Sequence, residues 1–542
     1  MDNRVIVGLG VLALLGVLFW PSGSSQKVRT LFEEGEQFLA AKNYQNAIPK
    51  YEEALAEADK PFVKTEVIDP DFKTLAQYKI AFCYTQIAET TGDITKYDDA
   101  IAIVEPLYAR ATLPKHRELI TFLWGYVLYK QQKFEAAEPK FREVIENFPN
   151  SLYLENAWYS IGQLNYQLAE YDKARTAFKQ IVDGFPNSDF RDDAQHLIGQ
   201  SFLIERNWEQ SFREFDILNR QNFGQSPLVP EAQYKAAHSL LQLDRLEEAI
   251  DRYNRFVAGF PESEFVTAAY FDLGWIYTRQ KDYDNAIQNY QLAIDNTQDM
   301  ALRAEIQYEI GDNYIEAQDY INAADAYRKV VEVYPTSKEV PAARFGIGEA
   351  YMKLAQANSK GSAVDEENYG NAIAAYQDVI SEHPGSEYEP HATFQIGEAY
   401  YQTKDYESAV KWYDTVMERF PNDELAAYAL YGALWSLSEL GRHEEVLARG
   451  RAFIEQHKAD PDFDLQSAEI QMKLGDIMFE RENYALAVAE YGKALAYPEL
   501  PKFYAVRLRS LFQQGLSYVK QAEQTGDKSL YQQAVSPFGT AI

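Results

Sequence analysis

A small residue recurs every 37 or 38 positions along this chain, with a second small residue twelve positions further on. The pairs Gly125/Ala137, Gly162/Ala174, Gly199/Ser211, Ala237/Ala249, Gly274/Ala286 and Gly311/Ala323 keep that spacing without a break. Around each pair the apolar residues follow a helical stripe. The stripe is clearest in Ala268–Ala293, where Phe271, Leu273, Gly274 and Tyr277 are followed by Ala286, Ile287, Tyr290 and Ala293. A glycine inside a helix costs about 1 kcal/mol relative to alanine. Close packing accounts for it: Gly274 facing Ala286 would let two antiparallel helices approach at the near end of the usual ~8–10 Å range.

The same unit runs irregularly through the rest of the chain. A first pair spans Leu31–Ala58 with Gly35 and Ala47, and a second, with Ala81 and Ala100, carries an extended connection through Glu89–Lys96. Gly348 and Ala372 stand twelve residues too far apart, which predicts a polar surface loop over Asn358–Glu367. Gly397/Ala409 and Gly475/Ala487 keep the rule, Ala433 opens a degenerate unit, and Gly515/Ala534 carries a second expanded connection containing Thr525-Gly526-Asp527. Between units stand Phe148-Pro-Asn-Ser151, Phe185-Pro-Asn-Ser188, Phe260-Pro-Glu-Ser263, Tyr334-Pro-Thr-Ser337, His383-Pro-Gly-Ser386 and Phe420-Pro-Asn-Asp423. Proline ends one helix there, and the Ser or Asp after it is expected to cap the next.

These residues resemble the tetratricopeptide repeat (TPR), whose pattern is Trp-x2-Leu-Gly-x2-Tyr, then Ala-x3-Phe-x2-Ala and a terminal Pro. Leu273-Gly274-x2-Tyr277, Ile310-Gly311-x2-Tyr314 and Ile396-Gly397-x2-Tyr400 match its first half, and Ala286-x3-Tyr290-x2-Ala293 its second. The resemblance covers Lys27 to the C-terminus. It implies an all-α, right-handed α-solenoid of about thirteen helix-turn-helix repeats. The long period and the Phe-Pro-x-Ser junction are similar to repeats of bacterial envelope proteins, such as the outer-membrane assembly lipoprotein and the Tol–Pal coordinator.

Ahead of the array, Val5–Trp20 is an uncharged, almost wholly apolar run after Met-Asp-Asn-Arg. As a helix it would span roughly 24 Å, short of the ~30 Å hydrocarbon core. It reads as a secretory signal or as an uncleaved signal-anchor (transmembrane) helix; Trp20 and the lack of Ala-x-Ala favour the anchor. Arg4 on one side and Lys27 and Arg29 on the other leave orientation open, and the short charged leader favours a cytoplasmic N-terminus. The expected organisation is an anchor and tether over 1–25, long-connection repeats over 27–110, a regular array over 111–347 and an interrupted array over 348–542. The last hairpin, with Ala534, Phe538 and Ala541, is followed by no polar capping helix. The array is therefore expected to continue beyond 542, or to be covered there by another subunit or by self-association.

Composition narrows the partners. With 52 Lys+Arg against 82 Asp+Glu the net charge is −30, which argues against nucleic acid, whose phosphates need clustered cations. The lone Cys83 excludes an intrachain disulfide framework and falls on a core stripe. No HExxH, P-loop, G-x-S-x-G or paired-His spacing occurs, so no catalysis, cofactor or metal is expected. In the family, the residue after the repeat glycine and the residue three before it face the concave groove. The former reads Asp312, Glu349, Glu398 and Asp476, with Trp275 at the same place in its repeat. The latter reads Phe122, Tyr159, Tyr234, Phe271, Tyr308, Phe345 and Phe394. Such a groove would suit an extended or helical protein segment, basic and apolar; the alternative is that the rings are ordinary packing residues and the acids are solvated. The clamp that holds a C-terminal carboxylate needs Lys and Asn at these places, which are not there. The expected function is a single-pass, membrane-anchored scaffold of the bacterial inner membrane with a periplasmic array. Two alternatives stand beside it: a substrate-recruiting region of an enzyme whose catalytic domain lies beyond 542, and a cytoplasm-facing assembly factor.

Overall fold

The computed structural model describes residues 26–60, 71–111, 113–219, 226–359 and 364–541. The expected anchor Val5–Trp20 and its tether lie outside the described residues. Within them no helix is long and apolar enough to cross a membrane. Twenty-six α-helices and two single-turn 3-10 helices follow one another, with no strand among the described residues. They form thirteen antiparallel hairpins, the first Gln26–Ala40 with Tyr44–Ala58 and the last Tyr504–Thr525 with Ser529–Ala541. The chain falls into two compact units, Met1–Ala269 and Tyr270–Ile542. In each unit every helix packs on its neighbours in sequence, so the contacts are local, as stacked repeats require.

The repeat glycine does not face the alanine twelve residues on. A Cβ added to Gly274 would lie 2.7 Å from Cδ1 of Tyr290, the residue four beyond Ala286. The same ring position meets the glycine throughout: Tyr51 on Gly35, Phe141 on Gly125, Phe178 on Gly162, Phe215 on Gly199, Tyr413 on Gly397, Tyr491 on Gly475. The expectation of a Gly–Ala contact is corrected: alanine is small because the second helix lies close, but the glycine is needed to admit a ring. Some rings are held from both sides. Tyr327 touches Gly311 of its own hairpin and Gly346 of the next, and Tyr413 touches Gly397 and Gly432. These rings are buried and centre the successive cores of the second unit. Burying one such side chain contributes roughly 1.5–3 kcal/mol.

Turns and junctions follow a second rule. Among the described residues nine that are not glycine take positive φ, including Lys42, Ala169, Lys281, Gln318 and Lys404, and each sits in the turn inside a hairpin. The next residue caps the second helix where it is Asn or Asp: Asn43, Asn207, Asp282, Asp319, Asp405 and Asn483 all accept a backbone N–H near the helix start, and Asp365 does the same without a positive-φ residue before it. The junction serines act differently from the expected cap. Ser151 Oγ accepts from the backbone N of Tyr153 at 3.1 Å, and Ser188 Oγ from that of Phe190 at 3.2 Å, so they fix a turn before the helix. The turn delivers an aromatic onto the previous hairpin: Tyr153 stacks on Phe122 at 5.1 Å and Phe190 on Tyr159 at 4.6 Å.

Two irregular connections are helix instead of loop. Asp71–Thr91 runs helical past Glu89, leaving a short turn through Gly92 before Thr95–Arg110. The excess between Gly348 and Ala372 goes mostly into longer helices, Val340–Asn358 and Glu366–Glu382; part of the expected loop, 360–363, lies outside the described residues. Cys83 is buried, as its stripe predicts, and burial pushes its thiol up to about 12, which leaves it unreactive.

Replacing Gly274 by Leu should cost about 3 kcal/mol or more, because the Tyr290 ring occupies the space. Lys281→Gly should instead stabilise by about 1 kcal/mol, relieving a left-handed backbone. Urea unfolding of the two variants checks both signs.

Candidate functional site

The expected row of groove carboxylates is drawn into the hairpins. Tyr327 donates its hydroxyl to Asp312 Oδ1 at 2.5 Å, Tyr413 to Glu398 Oε1 at 2.5 Å and Tyr491 to Asp476 Oδ1 at 2.7 Å. Tyr51 does the same to Glu36 in the first hairpin, at 2.5 Å. In each case the carboxylate follows the repeat glycine and the hydroxyl belongs to the ring pressed on that glycine, fifteen residues away. Where the ring is Phe, as at Phe141, Phe178 and Phe215, the matching residues are Tyr126, Gln163 and Gln200, none of them acidic. At four of these places the carboxylate therefore belongs to a tyrosine. Asp476 is also held by Arg509 at 2.7 Å and is buried. Glu36 is also held by the buried Lys79 at 3.0 Å. Glu349, whose hairpin is lengthened, pairs with Lys353 at 3.3 Å. The acids are thus unevenly spaced, and Asp312, Glu398 and Asp476 are engaged inside the hairpins while Glu349 is half exposed.

The expected groove rings are packing residues to a large degree. Phe271, Tyr308, Phe345 and Phe394 each lie 5.3–5.8 Å from the central tyrosine of their hairpin, Tyr290, Tyr327, Tyr376 and Tyr413. Phe345 is further covered by Tyr388 at 5.7 Å, and Tyr234 is stacked by Phe265 at 5.2 Å. All four are only partly buried, so an edge of each remains open. Trp275 differs: it is 41% exposed, with the Arg279 guanidinium 4.9 Å from its ring centre.

Burial decides the protonation of this face. Asp312 and Glu398 are raised above the usual carboxylate range, first by desolvation, against the lowering effect of the tyrosine hydrogen bond. Glu309, two residues before Gly311, is pushed up to about 7 by burial, then by Asp312 and Glu305. Glu309 was not among the expected groove residues. The sequence signal was indirect: Trp275 replaces the acid that Tyr290 would otherwise hold. Tyr290 is fully buried, and the side chain its hydroxyl meets is that of Thr278 instead of a carboxylate.

Four family models, each described as a tetratricopeptide repeat, match residues 122–189, 219–299, 305–337 and 363–434. The chain is a tetratricopeptide-repeat protein. It is similar in structure to the C-terminal part of a TPR repeat-containing protein from Cytophaga hutchinsonii, at 16% identity, covering 49% of this chain and 97% of that one with a TM-score of 0.39. A tetratricopeptide repeat protein from Parabacteroides merdae is similar at 16% identity, over 52% and 97%, with a TM-score of 0.30. Naa15/Naa10 bound to HypK-THB is similar at 12% identity, over 95% and 75%, with a TM-score of 0.37. No curated protein matches the chain.

A double-mutant cycle on Asp312→Asn and Tyr327→Phe should show a coupling of about 1–2 kcal/mol in thermal or urea unfolding. Additive losses would mean that the carboxylate is not part of the hairpin core.

Proposed function

We propose that this chain is a membrane-tethered, non-catalytic scaffold of a bacterial cell envelope, anchored once through Val5–Trp20 with its repeats outside the cytoplasm. TPR hairpins make the protein a scaffold for protein–protein interaction. The observation that carries the choice of partner is the face built from the first helices of the seventh to ninth hairpins. There Trp275 is exposed, ring edges of Phe271, Tyr308 and Phe345 are open, and the carboxylates outnumber the cations. Such a surface favours a basic segment with apolar side chains, held extended or as a helix. Phe394, Glu398 and Asp476 support the scaffold mainly by packing. A second surface favours self-association: Tyr504, Leu508, Phe512, Tyr531 and Val535 leave apolar side chains exposed on the thirteenth hairpin. The anchor reading rests on the apolar run and the repeat resemblance.

Crosslinking from native membranes should recover protein partners, and Trp275→Ala should lose the main one while helicity is unchanged. In spheroplasts, added protease should digest the array; full protection would place it on the cytoplasmic side.

A further inference from the structure

The thirteenth hairpin obeys the packing rule of the others but leaves the resulting face open. Phe538 seats on Gly515, where an added Cβ would lie 2.8 Å from Cε1 of the ring, and Phe512 packs edge-on against Phe538 at 5.7 Å. Phe512 stands three residues before the repeat glycine, the place held elsewhere by Phe122, Tyr159, Tyr234 and Phe345. In those hairpins an aromatic from the next junction covers the ring: Tyr153 on Phe122, Phe190 on Tyr159, Phe265 on Tyr234 and Tyr388 on Phe345. Phe122 and Tyr159 are buried as a result, whereas Phe512 is 54% exposed. Val535, the residue after Ala534, is exposed as well. Val410, at the same place in the tenth hairpin, is buried in one cluster with Leu434 and Leu437 of the eleventh.

The open stripe is complementary to itself. Tyr504, Leu508 and Phe512 follow one another at four-residue steps on Tyr504–Thr525, so they share one side of the helix, about 12 Å from first to last. All three are more than half exposed. Two such helices laid antiparallel about a two-fold axis at Leu508 bring each Tyr504 onto Phe512 of the other copy, and Leu508 onto Leu508. Phe512 then receives the Tyr-on-Phe contact that Tyr153 gives Phe122. Ala505, small and exposed, lets the helices come close beside the axis. Charge does not oppose the pairing, because the cations on either side of Leu508 are engaged within their own copy. Arg507 donates to the Leu495 and Tyr497 carbonyls at 2.8 and 3.2 Å and pairs with Glu499; Arg509 pairs with Asp476 at 2.7 Å. A head-to-tail row of copies lacks the matching surface: among the described residues the first hairpin has no exposed large apolar side chain.

We propose that a second copy of this chain covers the thirteenth hairpin, with Tyr504–Thr525 of the two copies paired antiparallel about Leu508. This rests on the self-association reading above and names the occupant and its register. Covering half of Tyr504, Leu508, Phe512, Tyr531 and Val535 on each copy would bury on the order of 1,000 Å², the low end for a specific interface. The dimer is therefore reversible. It brings two Trp275 faces into one assembly, which raises the effective concentration for a partner carrying two binding segments.

The test uses the full chain, whose one native thiol, Cys83, is buried. A disulfide needs Cα atoms within about 7 Å of each other. Leu508→Cys places a thiol at the two-fold axis, so mild oxidation should give a band of doubled mass that reductant reverses. Leu516→Cys lies eight residues further along the same helix, about 24 Å from its mate in this register, and should stay monomeric. Glu407→Cys, exposed on another hairpin, sets the level of random collision. In the analytical ultracentrifuge Leu508→Asp should weaken the dimer at least about tenfold, since it buries an unpaired charge, and its thermal midpoint should be unchanged because Leu508 is exposed. Crosslinking through Leu508→Cys no higher than through Glu407→Cys, or equal through Leu516→Cys, overturns the register, as does a dimer that survives Leu508→Asp. A monomer in the ultracentrifuge overturns the self-association reading as well and leaves the Trp275 face standing.

Discussion

A ring pressed onto a glycine holds this protein together. In most of the regular hairpins the second helix offers Tyr or Phe, and the first helix leaves out a side chain to receive it; the sixth, with Ala237, is the exception among those described. Alanine would already crowd the ring, since an added Cβ falls inside normal carbon contact at nearly every one of these glycines. The glycine's cost in the helix is about 1 kcal/mol, whereas burying the ring contributes roughly 1.5–3 kcal/mol. Packing wins, and the same trade is repeated along the chain. Because Tyr327 and Tyr413 are also touched by a glycine of the following hairpin, the contact joins hairpins as well as helices.

Tyrosine in place of phenylalanine has a price at that position, because its hydroxyl is carried to a nearly dry place. The carboxylate after the glycine meets the need, from Glu36 to Asp476. Charge that seemed available for ligands is thus assigned to structure. What differs is local: where Tyr290 seats on Gly274, the residue after the glycine is Trp275, an exposed ring in place of a carboxylate. The functional interest of the face moves from a long acidic row to this one break in the pattern.

Much of the fold was legible in the residues. Gly274, Ala286 and Tyr290 recur at fixed offsets, and thirteen pairs read from the sequence are thirteen hairpins in the structure. The partner of the glycine was not legible, because periodicity gives the face of a helix but not which of two residues on it reaches across. Ser151 and Ser188 were readable as capping residues and turned out to fix turns, since a cap and a turn use the same residue types. Glu89 and Thr91 continue a helix where an extended connection was expected; helical hydrogen bonds satisfy that backbone better than an open chain. Glu309 lay two residues before the glycine and outside the family's groove positions, so nothing in its own neighbourhood singled it out.

The sequence by itself determined the hairpin, its repetition, the buried stripe and the excess of acid over base. Each of these depends on residue type and spacing, which a chain carries before it folds. Tertiary structure decided which carboxylates are consumed and which remain. Asp312, Glu398 and Glu349 look alike in the chain, yet two hold tyrosines and one holds a lysine. The reason is distance: a carboxylate's role depends on the group within hydrogen-bonding reach, and fifteen residues of hairpin bring that group close only after the ring has seated on its glycine.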